Sequence, residues 1–164
     1  MNRRRIFLAF LLGTCSWLIP AVAADRESCP VTTAPEPPFA PPAPYSSNVG
    51  SHEFLYGTPA LWTVVYPDWR IHSGGKLAFF RQGYDAMKEM DPQLSVVARR
   101  LDGDAPLVRN RRANNAFIEG RGLAGMFMVT GIDIPAAGCW EIAVRYVGSP
   151  ESAQTLTYTV WVKP

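Results

Sequence analysis

The stretch from Pro135 to Tyr146, PAAGCWEIAVRY, decides the fold. A turn of proline, alanine and glycine runs into Cys139, and from there apolar and polar residues alternate. Trp140, Ile142, Val144 and Tyr146 fall on one face; Cys139, Glu141, Ala143 and Arg145 fall on the other. A period of two is that of a half-buried β-strand. The large apolar set must face the core, so Cys139 is expected to point outward, where a segment lying on the surface can reach it. TLTYTVWV, near the end of the chain, repeats the pattern. Leu156, Tyr158, Val160 and Val162 share one face, and Thr155, Thr157, Thr159 and Trp161 share the other. These β-branched and aromatic residues favour a strand. VGSPESAQ between the two runs is turn sequence, so the pair is expected to form a hairpin.

Working back along the chain, ALWTVVY (60–66), KLAFFRQ (76–82), LSVVARRL (94–101) and LAGMFMVTGIDI (123–134) read as further strands. Pro67, Gly74-Gly75, Pro92, Asp102-Gly103 and Pro106 punctuate them. YDAMKEMDP (84–92) supports at most one turn of helix. Residues 51–164 are therefore expected to form one all-β domain, an antiparallel sandwich of about six to eight short strands.

The N-terminus reads as a targeting signal. A basic start, MNRRR, precedes the apolar run IFLAFLLGTCSWLIPAVA, and Ala21 to Ala23 supply small residues for cleavage after Ala23. Residues 1–23 are thus assigned to a signal peptide. The alternatives are a retained anchor, against which Pro20 closes the apolar run early, and a lipid on Cys15, where Thr14 is a poor fit. After cleavage no stable membrane insertion is expected. Cleavage also removes Arg3, Arg4 and Arg5, so 16 basic residues become 13 against 14 acidic ones and the formal charge of +2 becomes −1. The basic balance belongs to targeting and gives no case for nucleic acid.

Cys15 leaves with the signal. Cys29 and Cys139 remain, and in an oxidising compartment they are expected to pair, the alternative being two free thiols. Between Cys29 and the domain lies a Pro-rich arm, residues 24–50, in which seven of the fifteen residues from Pro30 to Pro44 are proline. Proline fixes φ and lacks an N–H, so the arm is expected to run as extended polyproline II, neither helix nor central strand. A bond to Cys139 would lay it along the domain.

GIDIPAAGCWEIAVRY followed by LTYTVWV resembles the closing hairpin of immunoglobulin-like domains on exported bacterial proteins. The wider pattern is similar to an uncharacterised family of such proteins. It comprises Cys29-Pro30, the Pro35–Pro44 arm, Leu61–Thr63 (LWT), Arg99–Gly103 (RRLDG), Gly138–Ile142 (GCWEI) and Val160–Val162 (VWV). The resemblance implies an immunoglobulin-like sandwich and supports the Cys29–Cys139 pair. It implies no activity. The bond would differ from the buried inter-sheet disulfide of antibody domains, because one partner lies outside the domain.

Enzyme signatures are missing: there is no G-x-S-x-G, no H-E-x-x-H and no phosphate-binding glycine loop. His52 and His72 stand in loop sequence and read as solvated, so neither a metal nor another cofactor is expected. Asp85, Glu89 and Asp91 crowd near aromatic residues and support, as an alternative, a small secreted hydrolase of glycosidase type. Six arginines gather at Arg99, Arg100, Arg109, Arg111, Arg112 and Arg121, against Asp102, Asp104 and Glu119. Of these, Arg109, Arg111 and Arg112 are the candidates for binding an anion, such as an anionic glycan or the acidic face of an envelope protein. The competing reading is a solvated loop. Trp62, Trp69, Phe79, Phe80, Tyr84 and Trp161 are mostly expected in the core. Trp161 lies opposite the core face of its strand and is the candidate on which the arm docks. The expected function is an exported, non-catalytic binding domain.

Overall fold

A computed structural model describes residues 25–70, 75–118, 125–148 and 153–164. The assigned leader with Cys15, and also His72, Glu119 and Arg121, lies outside them. The described residues form ten strands: β1 (Phe54–Thr58), β2 (Leu61–Val65), β3 (Asp68–Arg70), β4 (Gly75–Phe80), β5 (Gln93–Arg100), β6 (Val108–Arg109), β7 (Asn114–Ile118), β8 (Gly125–Ile132), β9 (Gly138–Val147) and β10 (Gln154–Lys163). They make two five-stranded sheets. Sheet A has the order β1-β2-β4-β8-β7 and sheet B the order β3-β10-β9-β5-β6. The chain is an all-β sandwich.

The two runs with the cleanest period of two form the centre of sheet B. β9 and β10 pair antiparallel from Gln154 opposite Tyr146 to Val162 opposite Gly138. Trp140, Ile142, Val144 and Tyr146 from β9, with Leu156, Tyr158, Val160 and Val162 from β10, all lie in the main core. Sheet A adds Leu61, Val65, Leu77, Phe79, Met128 and Ile132. Each such side chain stabilises the fold by about 1.5–3 kcal/mol through removal from water.

Two expectations need correction. The strands number ten among the described residues, more than expected, because β1, β3, β6 and β7 were not anticipated. The sandwich is also not wholly antiparallel: β3 runs parallel to β10, Trp161 lying opposite Asp68. The chain leaves sheet A at the end of β2, turns at Tyr66-Pro67 and joins the edge of sheet B, where Trp161 N–H donates to Pro67 O at 3.0 Å. A strand that switches sheets need not reverse direction. The possible helical turn is a single one: the amides of Lys88 and Glu89 both donate to Asp85 O at 3.0 Å. No helix among the described residues is long and apolar enough to cross a membrane.

Sheet A is apolar on both faces. A second cluster of Leu55, Trp62, Phe80 and Phe127 lies apart from the main core, and Phe39, Tyr45 and Val49 of the arm pack against it. The molecule therefore has three layers: arm, sheet A and sheet B. Double-sided burial explains why LWTVV and GKLAFF do not alternate.

Candidate functional site

The arm begins beside sheet B. Asp25 caps a short 3₁₀ turn, Arg26–Ser28, by accepting from the Glu27 amide. Arg26 reaches Asp68 of β3 at 2.8 Å, and Lys163 of β10 reaches the same carboxylate at 2.8 Å. Lys163 first, and then Arg26, hold that carboxyl below its ordinary range. Cys29 follows and is bonded to Cys139, with Cα atoms 5.6 Å apart and a sequence separation of 110. Three residues further, the Thr32 amide donates to Thr159 O at 2.9 Å and Thr32 Oγ1 accepts from the Thr159 amide at 2.8 Å.

Cys139 belongs to neither apolar cluster, as its position in the alternation requires, yet it is only 2 % exposed. Its backbone is gripped from the turn just past β5. Asp102 Oδ2 accepts from the Cys139 amide at 2.8 Å, Arg100 Nε donates to Asp102 Oδ1 at 2.7 Å, and the Leu101 amide donates to Cys139 O at 2.8 Å. Burial disfavours the charge on Asp102, but Arg100 and the Cys139 amide outweigh it and hold the carboxyl below its usual range. Gly138 is required here. Its φ is +140°, and a Cβ would stand 2.7 Å from Asp102 Oδ2. The RRLDG and GCWEI segments are thus two halves of one clasp that places the Cys139 sulfur.

From Thr32 the arm crosses the sandwich edge towards β1, with Pro35, Pro37, Pro38 and Phe39 facing Tyr56, Thr58, Thr155 and Thr157 across an open space of about 600 Å³. It then reaches the outer face of sheet A. Phe39 tilts onto Trp62 with ring centres 5.9 Å apart, and Tyr45 stands edge-on to Trp62 and Phe80 at 5.1 and 5.7 Å. Tyr45 Oη donates to Met126 O at 3.0 Å. Gly125, with φ +138°, makes room: a Cβ there would lie 3.0 Å from the Tyr45 ring. Trp161 is half-buried on β10, two residues beyond the Thr159 that anchors the arm.

The arginines do not form one patch. Arg99 pairs with Glu141 at 3.0 Å, Arg100 with Asp102, Arg111 with Asp133 at 2.7 Å and Arg112 with Asp91 at 2.9 Å. Arg109 is exposed on β6. What the fold does bring together is Arg112 and Arg145. They line one open groove of about 480 Å³ with Gln93 and Ser95, and Asp91 is its one carboxylate among the described residues. Arg145 stands opposite Ser95 on one side and Thr155 on the other. Sequence reading missed Arg145 because it is distant in the chain and sits singly on a strand; the outward set of β9 was the signal that could have found it.

The loop carboxylates are each engaged. Asp85 pairs with Lys88 at 3.3 Å, and that contact, with the Met87 amide, lowers its carboxyl. Asp91 is held by Arg112. Glu89 is part of a buried network: Arg81 Nη2 donates to it at 2.7 Å, and Tyr146 Oη donates to its other oxygen. Asn115 Nδ2 donates to Glu89 O at 2.8 Å and Ala86 O at 3.2 Å, while Tyr84 Oη donates to Asn115 Oδ1. Burial first, and then Glu89, pushes the Tyr84 phenol up to about 12, and the Tyr146 phenol is raised by the same two influences. Such a network fixes the 81–92 loop against β7 and β9. His52 is exposed, and no group of three His, Cys, Asp or Glu is placed to hold a metal among the described residues. No protein-family model matches the chain, and no curated protein or solved structure matches it.

Proposed function

We propose that the chain is an exported, non-catalytic binding module of immunoglobulin-like type that takes an anionic ligand, such as an envelope glycan, in the groove of Arg112 and Arg145. One observation carries this reading: two guanidinium groups, 33 residues apart by position (145 − 112), line a single groove with Gln93 and Ser95, where Asp91, which pairs with Arg112 at 2.9 Å, is the one carboxylate among the described residues. Guanidinium forks suit carboxylate, sulfate and phosphate groups. Arg109 extends the basic surface from β6, whereas Arg111, which pairs with Asp133 at 2.7 and 3.0 Å, does not line the groove. The disulfide supports export, since such bonds persist in oxidising compartments. Binding is favoured over glycoside hydrolysis because Asp85, Glu89 and Asp91 are each spent on a cation. Trp161, beside the Thr159 anchor, serves in this reading as a second seat for the start of the arm.

Retention on immobilised heparin tests the proposal. The Arg112→Ser/Arg145→Ser variant is expected to elute at lower salt than the parent, and Arg111→Ser to elute with it. Co-elution of the double variant with the parent contradicts the groove as the site.

A further inference from the structure

Where the chain crosses from sheet A to sheet B, the two inner faces do not close on each other. Alternation turns Trp69 of β3 inward beside Val162 of β10, its partner in register. Across from them, Gly75 of β4 stands opposite Ile132 of β8, with Leu77 next on the same face. Gly75 has no side chain to fill the space between, and a Cβ there would lie 3.3 Å from Ile132 O. The result is a slot of about 370 Å³ at the end of the sandwich, to which Ile134 and the exposed Tyr66 add further walls.

Leu77, Ile132 and Val162 belong to the main core, so the floor of the slot is aliphatic. Its charged residues lean one way. Arg70 and Lys76 are exposed and line it, and neither has an ion pair among the described residues. Asp68 is the one carboxylate lining it among the described residues, and Arg26 and Lys163 already share that group, each at 2.8 Å. Four cations thus stand around a single carboxylate at this end of the molecule. In clefts of this size apolar walls supply affinity and a few polar groups fix orientation. An aliphatic floor with a cationic mouth is complementary to an alkyl chain that ends in an anion. The chain leaves water against the floor, and the anion stays at the rim, within reach of cations on long flexible stems.

We propose that this slot binds a single-chain aliphatic carboxylate, a fatty acid, with its chain between the two sheets and its carboxylate at Arg70 and Lys76. A flat aromatic acid is less suited, because aliphatic side chains from both sheets, Leu77, Ile132, Ile134 and Val162, outnumber the aromatic ones. No residue of the slot lines the groove of Arg112 and Arg145, so the two sites stand or fall separately.

Decanoate is the probe, titrated below its micellar concentration into the purified, disulfide-bonded protein. The Trp69 indole and the methyl resonances of Leu77, Ile132 and Val162 are expected to shift together. Decanol, the neutral chain of the same length, is expected to bind about tenfold more weakly, the worth of one charge-assisted contact. Arg70→Gln/Lys76→Gln, at two exposed positions, is expected to weaken decanoate by about the same factor and to leave decanol unchanged. Arg112→Ser/Arg145→Ser is expected to bind decanoate as the parent does; loss of binding there would assign the carboxylate to the groove and overturn the slot. Unmoved Trp69 and Ile132 resonances in the parent also overturn the proposal, and that measurement needs no variant to fold. Equal affinity for decanoate and decanol overturns it, as does unchanged decanoate binding in the Arg70→Gln/Lys76→Gln variant. Tighter binding of indole-3-acetate than of decanoate would assign the slot to aromatic acids and overturn it as well.

Discussion

Asp102 accepts the backbone N–H of Cys139 at 2.8 Å while Arg100 holds its other oxygen at 2.7 Å. The carboxylate thus joins the end of β5 to the first turn of β9, at the residue that carries the arm. Asp102→Ala leaves a part-buried guanidinium and a buried amide without their acceptor. It is expected to cost about 1–3 kcal/mol in denaturant unfolding. Gly138→Ala is expected to destabilise as well, because its left-handed backbone and the proximity of Asp102 both reject a Cβ.

The same carboxylate gives a pH dependence. Its folded value lies below the ordinary 3.8, so it contributes stability above about pH 4, and that contribution is lost as pH falls through the folded value. Asp102→Asn is expected to flatten the stability curve in this acid limb, as measured by unfolding midpoints between pH 5 and pH 2, both set by about the carboxylate range. An unchanged acid limb contradicts the coupling.

Reduction is expected to lower the melting temperature. A bond closing a span of 110 residues is worth up to about 4–5 kcal/mol on chain-entropy grounds. Cys29→Ser is expected to melt at the temperature of the reduced parent and to be insensitive to reductant.

Glu89 and Asp85, four residues apart in one loop by number, are expected to behave oppositely. Glu89→Ala removes the carboxylate that Arg81 Nη2 and Tyr146 Oη share in a largely buried pair and is expected to cost about 3–5 kcal/mol. Asp85→Ala removes an exposed surface pair and is expected to leave the unfolding midpoint unmoved. Equal effects contradict the buried network.

β9 and β10 were legible because each has one buried face and one polar face, which writes the period of two into the sequence. β2 and β4 were legible as strands, but their second burial was not read from Trp62, Val64, Ala78 and Phe80 falling opposite the core set. β3 and β6, of three and two residues, are held as strands by a single neighbour each and carry too few residues to show a period. β7, NNAFI, was hidden by asparagines, which are poor strand formers, directly after an arginine-rich stretch. Of the candidate site, Cys29 and Cys139 were legible from the compartment and the count of thiols. The clasp of Asp102 and the groove of Arg112 and Arg145 were not, since each depends on strand order that no local pattern encodes.

Thiol mapping of the purified protein under non-reducing conditions tests the tethered arm most directly. A single linked peptide pair containing Cys29 and Cys139, with neither residue alkylated before reduction, is the expected result. Free alkylation of both cysteines in the folded protein would contradict the covalent arm and, with it, the three-layered arrangement built on it.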